Sequence, residues 1–340
     1  MFPEQLADIK DFLPDSPLTR LEDPWLKQYK VDVFIKRDDL IHPLISGNKF
    51  RKLKYGLAHY EQQEFDGIVS FGGLWSNHLH ALSCVCEKYK IPSIALIRGH
   101  RPAKPGNTLN EIERSGMEVH FISRVDYREL RKFREQGRLT EHPILRPWEK
   151  HFIIPEGGSS TDALLGVAEI LNEDKQQFDR IYLACGTGAT LAGMSVGLSK
   201  NPDTRLTGIA ALKAGTSLQE NAQSLLKEHH SLIASGDVSF KEKESVYSDN
   251  WQIDDNYHFG GFAKISKDLI TFMTQLYQRT GLVTEPVYTG KCLYALYDHI
   301  SKGVVDPGER IMMLHTGGLQ GLRGFKGTGI EQLRSAAGFD

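Results

Sequence analysis

Short, β-branched, mostly apolar runs alternate along this chain with longer stretches whose apolar residues recur at helical spacing. Residues 68–71, 93–97 and 118–122 read as buried strands in a first block, with helical segments between them. Residues 180–184, 207–211 and 310–314 form a second block, and each of these runs opens into a turn of small residues. Continuous β-branched strands separated by amphipathic helices predict an α/β fold: two open, mostly parallel twisted sheets flanked by helices. Residues 128–150 between the blocks are highly charged and carry Pro143 and Pro147, which predicts an exposed helix and then a crossover. The division that follows is a large domain from residues 1–49 and 151–340 and a small domain from 50–150, with ligand between them and the small domain able to close over it.

Composition narrows the partners. At 340 residues the chain can bury a sizeable core unaided. Its 41 basic and 43 acidic residues leave a formal charge of −2, so no global field draws it to nucleic acid or to an anionic membrane. A small-molecule partner is expected. Cys84, Cys86, Cys185 and Cys292 match neither a disulfide framework nor a paired C-x-x-C zinc motif. His78, His80, His229 and His230 recur with no third ligand at suitable spacing, so no metal is assigned. The first residues lack a basic start and a long apolar core, and no apolar run suits a bilayer span; a soluble, cytoplasmic protein is expected.

Ligands of open parallel sheets bind beyond the carboxyl ends of the strands. Three turns there are rich in Gly, Ser, Thr and Asn: residues 71–77, 184–190 and 314–318. In Cys185-Gly186-Thr187-Gly188-Ala189-Thr190 a strand runs into what reads as the first turn of a helix. Unsatisfied N–H groups at a helix start, glycines that permit close approach, and the Thr187 and Thr190 hydroxyls together make an anion site suited to phosphate. A dinucleotide reading is weak, because the third glycine of G-x-G-x-x-G and a ribose-binding acid after the next strand are both missing. A tight turn without a ligand is the plainer alternative.

Lys49, in Ser46-Gly47-Asn48-Lys49-Phe50-Arg51-Lys52-Leu53, falls at the start of an amphipathic helix, the end that repels cations. Two functional explanations fit: Lys49 counters a bound phosphate, or its amine is kept partly neutral to condense with a carbonyl. A solvated surface lysine is the competing reading. Lys52, one turn on, can supply the phosphate countercharge and free Lys49 for covalent work.

The segments Lys36-Arg37-Asp38-Asp39, Gly47-Asn48-Lys49, Ser76-Asn77-His78, Pro155-Glu156-Gly157-Gly158, Pro286-Val287-Tyr288-Thr289-Gly290-Lys291 and His315-Thr316-Gly317-Gly318 occur in that order over nearly the whole chain. They resemble the D-cysteine desulfhydrase and 1-aminocyclopropane-1-carboxylate (ACC) deaminase family. The resemblance implies the tryptophan-synthase-β fold (fold type II) and pyridoxal 5'-phosphate held as a Schiff base on Lys49. It implies that Asn77 bonds the cofactor's phenolic oxygen and that Ser76 faces the ring and substrate. By the same resemblance Gly186, Thr187, Gly188, Ala189 and Thr190 cup the phosphate, and Thr316 meets the pyridine nitrogen. Ser76, Asn77, His78 and Tyr288 are the expected substrate contacts, and Lys49, Ser76 and Tyr288 the catalytic groups. A homodimer is also implied. Taken singly, Ser76 reads equally as a helix cap and Tyr288 as a half-buried core aromatic.

A hydroxyl partner on the pyridine nitrogen holds a proton less firmly than a carboxylate would, which suits elimination of a good leaving group. ACC deaminases of the family carry Glu after the tyrosine where this chain has Thr289, and Gln where it has His78. Their second active-site tyrosine has no secure match in residues 257–262. These departures point to α,β-elimination from a small amino acid, D-cysteine foremost, with ACC deamination as the alternative. A non-catalytic cofactor- or metabolite-binding protein is the alternative of another class.

Overall fold

The computed structural model describes residues 15–42, 45, 47–174, 176–201, 203–234 and 247–339. Ser46 of the lysine motif lies outside the described residues. In chain order the elements are β1 (Leu18–Arg20), α1 (Pro24–Tyr29), β2 (Asp32–Lys36), α2 (Asn48–Glu61), β3 (Ile68–Gly72), α3 (Asn77–Tyr89), β4 (Ser93–Arg98), α4 (Asn107–Arg114) and β5 (Glu118–Ile122). They continue with α5 (Arg124–Glu135), β6 (Phe152–Ile154), α6 (Thr161–Ala168), β7 (Arg180–Cys185), α7 (Ala189–Gly197), β8 (Arg205–Ala210) and α8 (Ser217–Ala234). The last are β9 (Trp251–Asp254), α9 (Lys267–Thr280), α10 (Thr289–Ser301), β10 (Arg310–Leu314) and α11 (Glu331–Ala336). Among the described residues no helix is long and apolar enough to cross a membrane.

The chain divides into two compact units. The first, Lys49–Gly166, holds a four-stranded parallel sheet in the order β5-β4-β3-β6. β3 is buried along its whole length, as expected of a strand covered on both faces, and its one polar side chain, Ser70, is hydrogen-bonded. α2 buries Phe50, Leu53, Leu57 and Tyr60, the three- and four-residue spacing of a single helix face. The unit extends beyond the expected limit at residue 150, because Phe152–Ile154 pairs with Ile68–Ser70 and carries the chain into α6. The charged stretch before it is helical only to Glu135; two short 3-10 turns, Leu139–Glu141 and Pro143–Trp148, then lead into β6.

The second unit, Asp15–Asn48 with Val167 onward, holds a six-stranded sheet in the order β1-β2-β10-β7-β8-β9. Only β1 runs antiparallel. Its core joins Val33, Ile35, Tyr182, Ile209, Ile311 and Met313 of the strands to Leu293, Leu296 and Ile300 of α10. Strand order reverses direction next to β3 in the first sheet, with β4 on one side and β6 on the other. It does so next to β7 in the second, with β8 on one side and β10 on the other. Crevices at such switch points are where open α/β sheets bind ligands.

Candidate functional site

In the second unit the switch point gathers the turns after β7 and β10. β7 ends at Cys185, and α7 begins at Ala189 with Gly188 as its N-cap, φ +83°. A side chain there would place its Cβ 2.9 Å from the Leu218 carbonyl oxygen, so both conformation and space demand glycine. The first intrahelical bond runs from the Ala192 N–H to the Gly188 carbonyl, and no side chain caps the helix. The first-turn N–H groups therefore lack intrahelical partners, and no acidic residue of that turn opposes a bound anion.

The neighbouring turns are tied to this helix start. Asn48 donates from Nδ2 to Thr190 Oγ1 at 2.8 Å, and its backbone N–H donates to the Thr316 carbonyl at 3.3 Å. Gly47 allows this approach: at φ +70°, a Cβ on it would stand 1.9 Å from that same carbonyl oxygen. Thr316 is held in turn by its neighbour, since His315 donates from Nε2 to the Val283 carbonyl and accepts at Nδ1 from the Gly317 N–H. Thus the residue just before Lys49 is anchored to both the helix-start turn and the β10 turn.

Tyr288, half-buried, lies beside Gly186, where an added Cβ would be 3.0 Å from the tyrosine ring. Its backbone is organised by Glu285, whose buried carboxylate accepts from the N–H groups of Val287 (2.7 Å), Tyr288 (2.9 Å) and Thr289 (2.7 Å) and from Thr289 Oγ1 (3.2 Å). Burial drives the Glu285 carboxyl upward and the backbone donors pull it back, leaving it above the usual carboxylate range.

In the first unit the lysines lie on the first turns of α2, with Lys49 half-buried and Lys52 buried. Lys52 donates to the Gly157 carbonyl at 3.3 Å, within the glycine turn that follows β6. Beyond β3, Ser76 caps α3 by accepting from the Leu79 N–H at 3.2 Å, and Asn77 is the first residue of that helix, half-buried. His78 is 1 % exposed and hydrogen-bonds through Nε2 to Ser70 Oγ at 2.8 Å. Ser70 spends its own hydrogen on the Ile154 carbonyl, so Nε2 carries the imidazole proton and Nδ1 is left an acceptor, buried and without a hydrogen-bond partner among the described residues. Burial, and after it the Lys49 and Lys52 ammonium groups, pushes His78 down to about 3.

Each unit carries a part that suits pyridoxal phosphate: in the second, a helix start with glycines at 186 and 188 for a phosphate, and in the first, a half-buried lysine amine for an aldehyde. Asn48 and Glu285 carry no role in the sequence reading. Their signals were adjacency alone, one beside the lysine and the other four residues ahead of a helix.

Residues 9–317 match the family model described as pyridoxal-phosphate dependent enzyme. The chain belongs to that family. Among its relatives, a Pyrococcus horikoshii protein named provisionally as an ACC deaminase is 34 % identical over 300 residues, 87 % of each chain. A bifunctional D-cysteine desulfhydrase/ACC deaminase of Arabidopsis thaliana is 30 % identical over 86 % of this chain and 73 % of its own length. A solved structure of an ACC deaminase homologue superposes with a TM-score of 0.77 at 30 % identity, covering 99 % of this chain and all of the other. Fold type II, the D-cysteine desulfhydrase/ACC deaminase family and dependence on pyridoxal phosphate all stand on these matches.

Proposed function

We propose that this enzyme eliminates the β-substituent of a small amino acid, D-cysteine foremost, giving pyruvate, ammonia and hydrogen sulfide. The observation that carries the reading is the chemistry beside Tyr288. The next residue is Thr289, whose hydroxyl is engaged with Glu285, so no carboxylate follows the tyrosine in sequence. A phenol in that setting suits protonation of a leaving sulfur.

Bound pyridoxal phosphate supplies the electron sink that makes the Cα proton acidic. Lys49 would hold the cofactor through its amine, and the same amine is the base positioned to take the Cα proton of the substrate. Ser76 and Asn77 orient the substrate carboxylate, which decides the hydrogen presented to Lys49. Tyr288 gives a proton to the departing sulfur. Gly186, Thr187, Gly188, Ala189 and Thr190 would hold the phosphate, Lys52 would add countercharge, and Thr316 would serve the ring nitrogen. The enamine released hydrolyses to pyruvate and ammonia. The protein acts as a cytoplasmic homodimer in this reading.

ACC deamination to 2-oxobutanoate and ammonia is the second reading, supported by the names that the relatives in Pyrococcus and Arabidopsis carry. Purified enzyme assayed with D-cysteine, L-cysteine, D-serine and ACC separates the two. Turnover of D-cysteine is expected, and activity confined to ACC would overturn the preferred reading. Cofactor binding with turnover of none would favour a binding protein. Lys49→Ala is expected to abolish the borohydride-reducible coloured adduct and to lower kcat by roughly 10²–10⁴-fold; retention of that adduct would remove Lys49 from its role.

A further inference from the structure

Lys291 is the third residue of α10 and has no exposed surface. A cation in a helix's first turn opposes the helix dipole, so its burial there needs compensation. Three backbone carbonyls provide it. Nζ donates to Ala211 at 2.9 Å, His258 at 2.9 Å and Gly261 at 3.0 Å, one acceptor for each ammonium hydrogen.

Two of those carbonyls belong to a loop that does not sit in ordinary backbone conformations. Phe259 (φ 54°), Gly260 (φ 94°), Gly261 (φ 131°) and Ala263 (φ 55°) all have positive φ, two of them without glycine's freedom. The third carbonyl, Ala211, follows β8, and its N–H donates to Cys185 at the end of β7. The ammonium therefore ties a strained loop to the strand ends that open into the Gly186–Gly188 turn. The loop's two aromatic rings meet α10 and its cap: Phe259 packs edge-on to Tyr294 at 5.0 Å, and Phe262 packs edge-on to Tyr288 at 6.1 Å. Phe262 is 49 % exposed, so the face of its ring turned away from Tyr288 is open to solvent or to a ligand.

We propose that Lys291 is a positioning residue whose three-carbonyl clamp holds the loop at residues 258–263 so that Phe262 stands against Tyr288 and forms an apolar wall for the substrate. The inference rests on Tyr288 facing substrate, as in the function proposed above. Burial lowers the Lys291 ammonium to about 8, and the Glu285 carboxylate opposes that shift, so the clamp is charged at neutral pH.

The test compares wild-type holoenzyme with Lys291→Met, Phe262→Ala and the double variant, by amide hydrogen exchange and by KM and kcat with D-cysteine and with ACC. Lys291→Met is expected to speed exchange in residues 257–264 by at least about 10-fold, with α9 unchanged, and to raise KM about 10-fold with a smaller change in kcat. Phe262→Ala should raise KM similarly without changing exchange elsewhere, and the double variant should be no worse than Lys291→Met, since both remove one wall. Unchanged loop exchange in Lys291→Met, an unchanged KM in Phe262→Ala, or penalties that multiply in the double variant would each overturn the proposal. Phe262→Ala, altering an exposed side chain, decides the matter even where Lys291→Met fails to fold. If the wild type turns over neither substrate, the proposed function has failed, and the exchange comparison still judges the clamp.

Discussion

The starts of α7 and α10 belong to the same unit, and in neither does the N-cap side chain satisfy the helix. They are completed in opposite ways. At α10 the chain folds back to bring Glu285 onto three backbone N–H groups and a threonine hydroxyl, so that helix carries its own anion. At α7 the corresponding space is bordered by Gly186 and Gly188, and no acidic residue enters the first turn. A helix start that already holds a carboxylate is a structural joint, whereas one stripped of side chains and acids is prepared for an anion from outside. Tyr288 stands where the two meet, its backbone fastened by one and its ring against the other.

The comparison breaks most visibly at Glu285. Glu285→Ala leaves three buried donors without their acceptor, a loss expected to cost about 3–5 kcal/mol in denaturant-induced unfolding. Glu285→Gln keeps an amide oxygen for part of the set and should cost about 1–2 kcal/mol. Equal costs for the two variants would mean that the carboxylate is not what completes α10.

What could be read from the residues follows this contrast. Five of the six principal strands were legible because each is a largely apolar run buried in a parallel sheet, the half-exposed β5 by its Val119, Phe121 and Ile122, and the α7 turn was legible because glycine spacing survives any tertiary context. The short strands β1 and β9 were not: Leu18–Arg20 and Trp251–Asp254 have no buried residue and owe their form to pairing at sheet edges. β6, three residues long and also at a sheet edge, escaped too, and with it the extent of the first unit. Glu285 looks in sequence like any surface acid before a proline. Only the turn that reverses the chain at Pro286 reveals it as a cap. Lys291, similarly, could be recognised as part of a motif, but its three carbonyl partners come from segments 30 to 80 residues away in sequence.

The α7 side of the comparison is sharpened by Gly188→Val. A β-branched residue at φ +83°, with its Cβ 2.9 Å from the Leu218 carbonyl, is expected to cost about 2–4 kcal/mol in strain and displacement. Because the N–H groups move with that residue, cofactor-stripped protein should bind pyridoxal phosphate about 30-fold more weakly or worse, as followed by absorbance titration. Unaltered affinity would place the phosphate elsewhere.

At a third helix start the effect is read against pH, and its sign is fixed. α3 is capped by the neutral Ser76, and its second residue, His78, is held uncharged by burial and by the Lys49 and Lys52 ammonium groups, at about 3 against an ordinary 6.5. Unfolding returns the imidazole to water, where it binds a proton below its ordinary value. Between about pH 6.5 and 3 the unfolded chain therefore holds more protons than the folded one at this position, and stability falls as pH falls. The contribution is complete above pH 6.5 and declines by up to about 1.4 kcal/mol per pH unit below it. Other groups titrate over the same range, so the informative quantity is a difference. Denaturation midpoints of wild type and His78→Gln, compared from pH 7.5 to 4.5, should converge as pH falls, because glutamine can bond Ser70 but cannot take up the proton. Parallel curves would show that His78 takes up its proton as readily in the folded protein as in the unfolded chain, so that burial and the two ammonium groups do not hold it neutral.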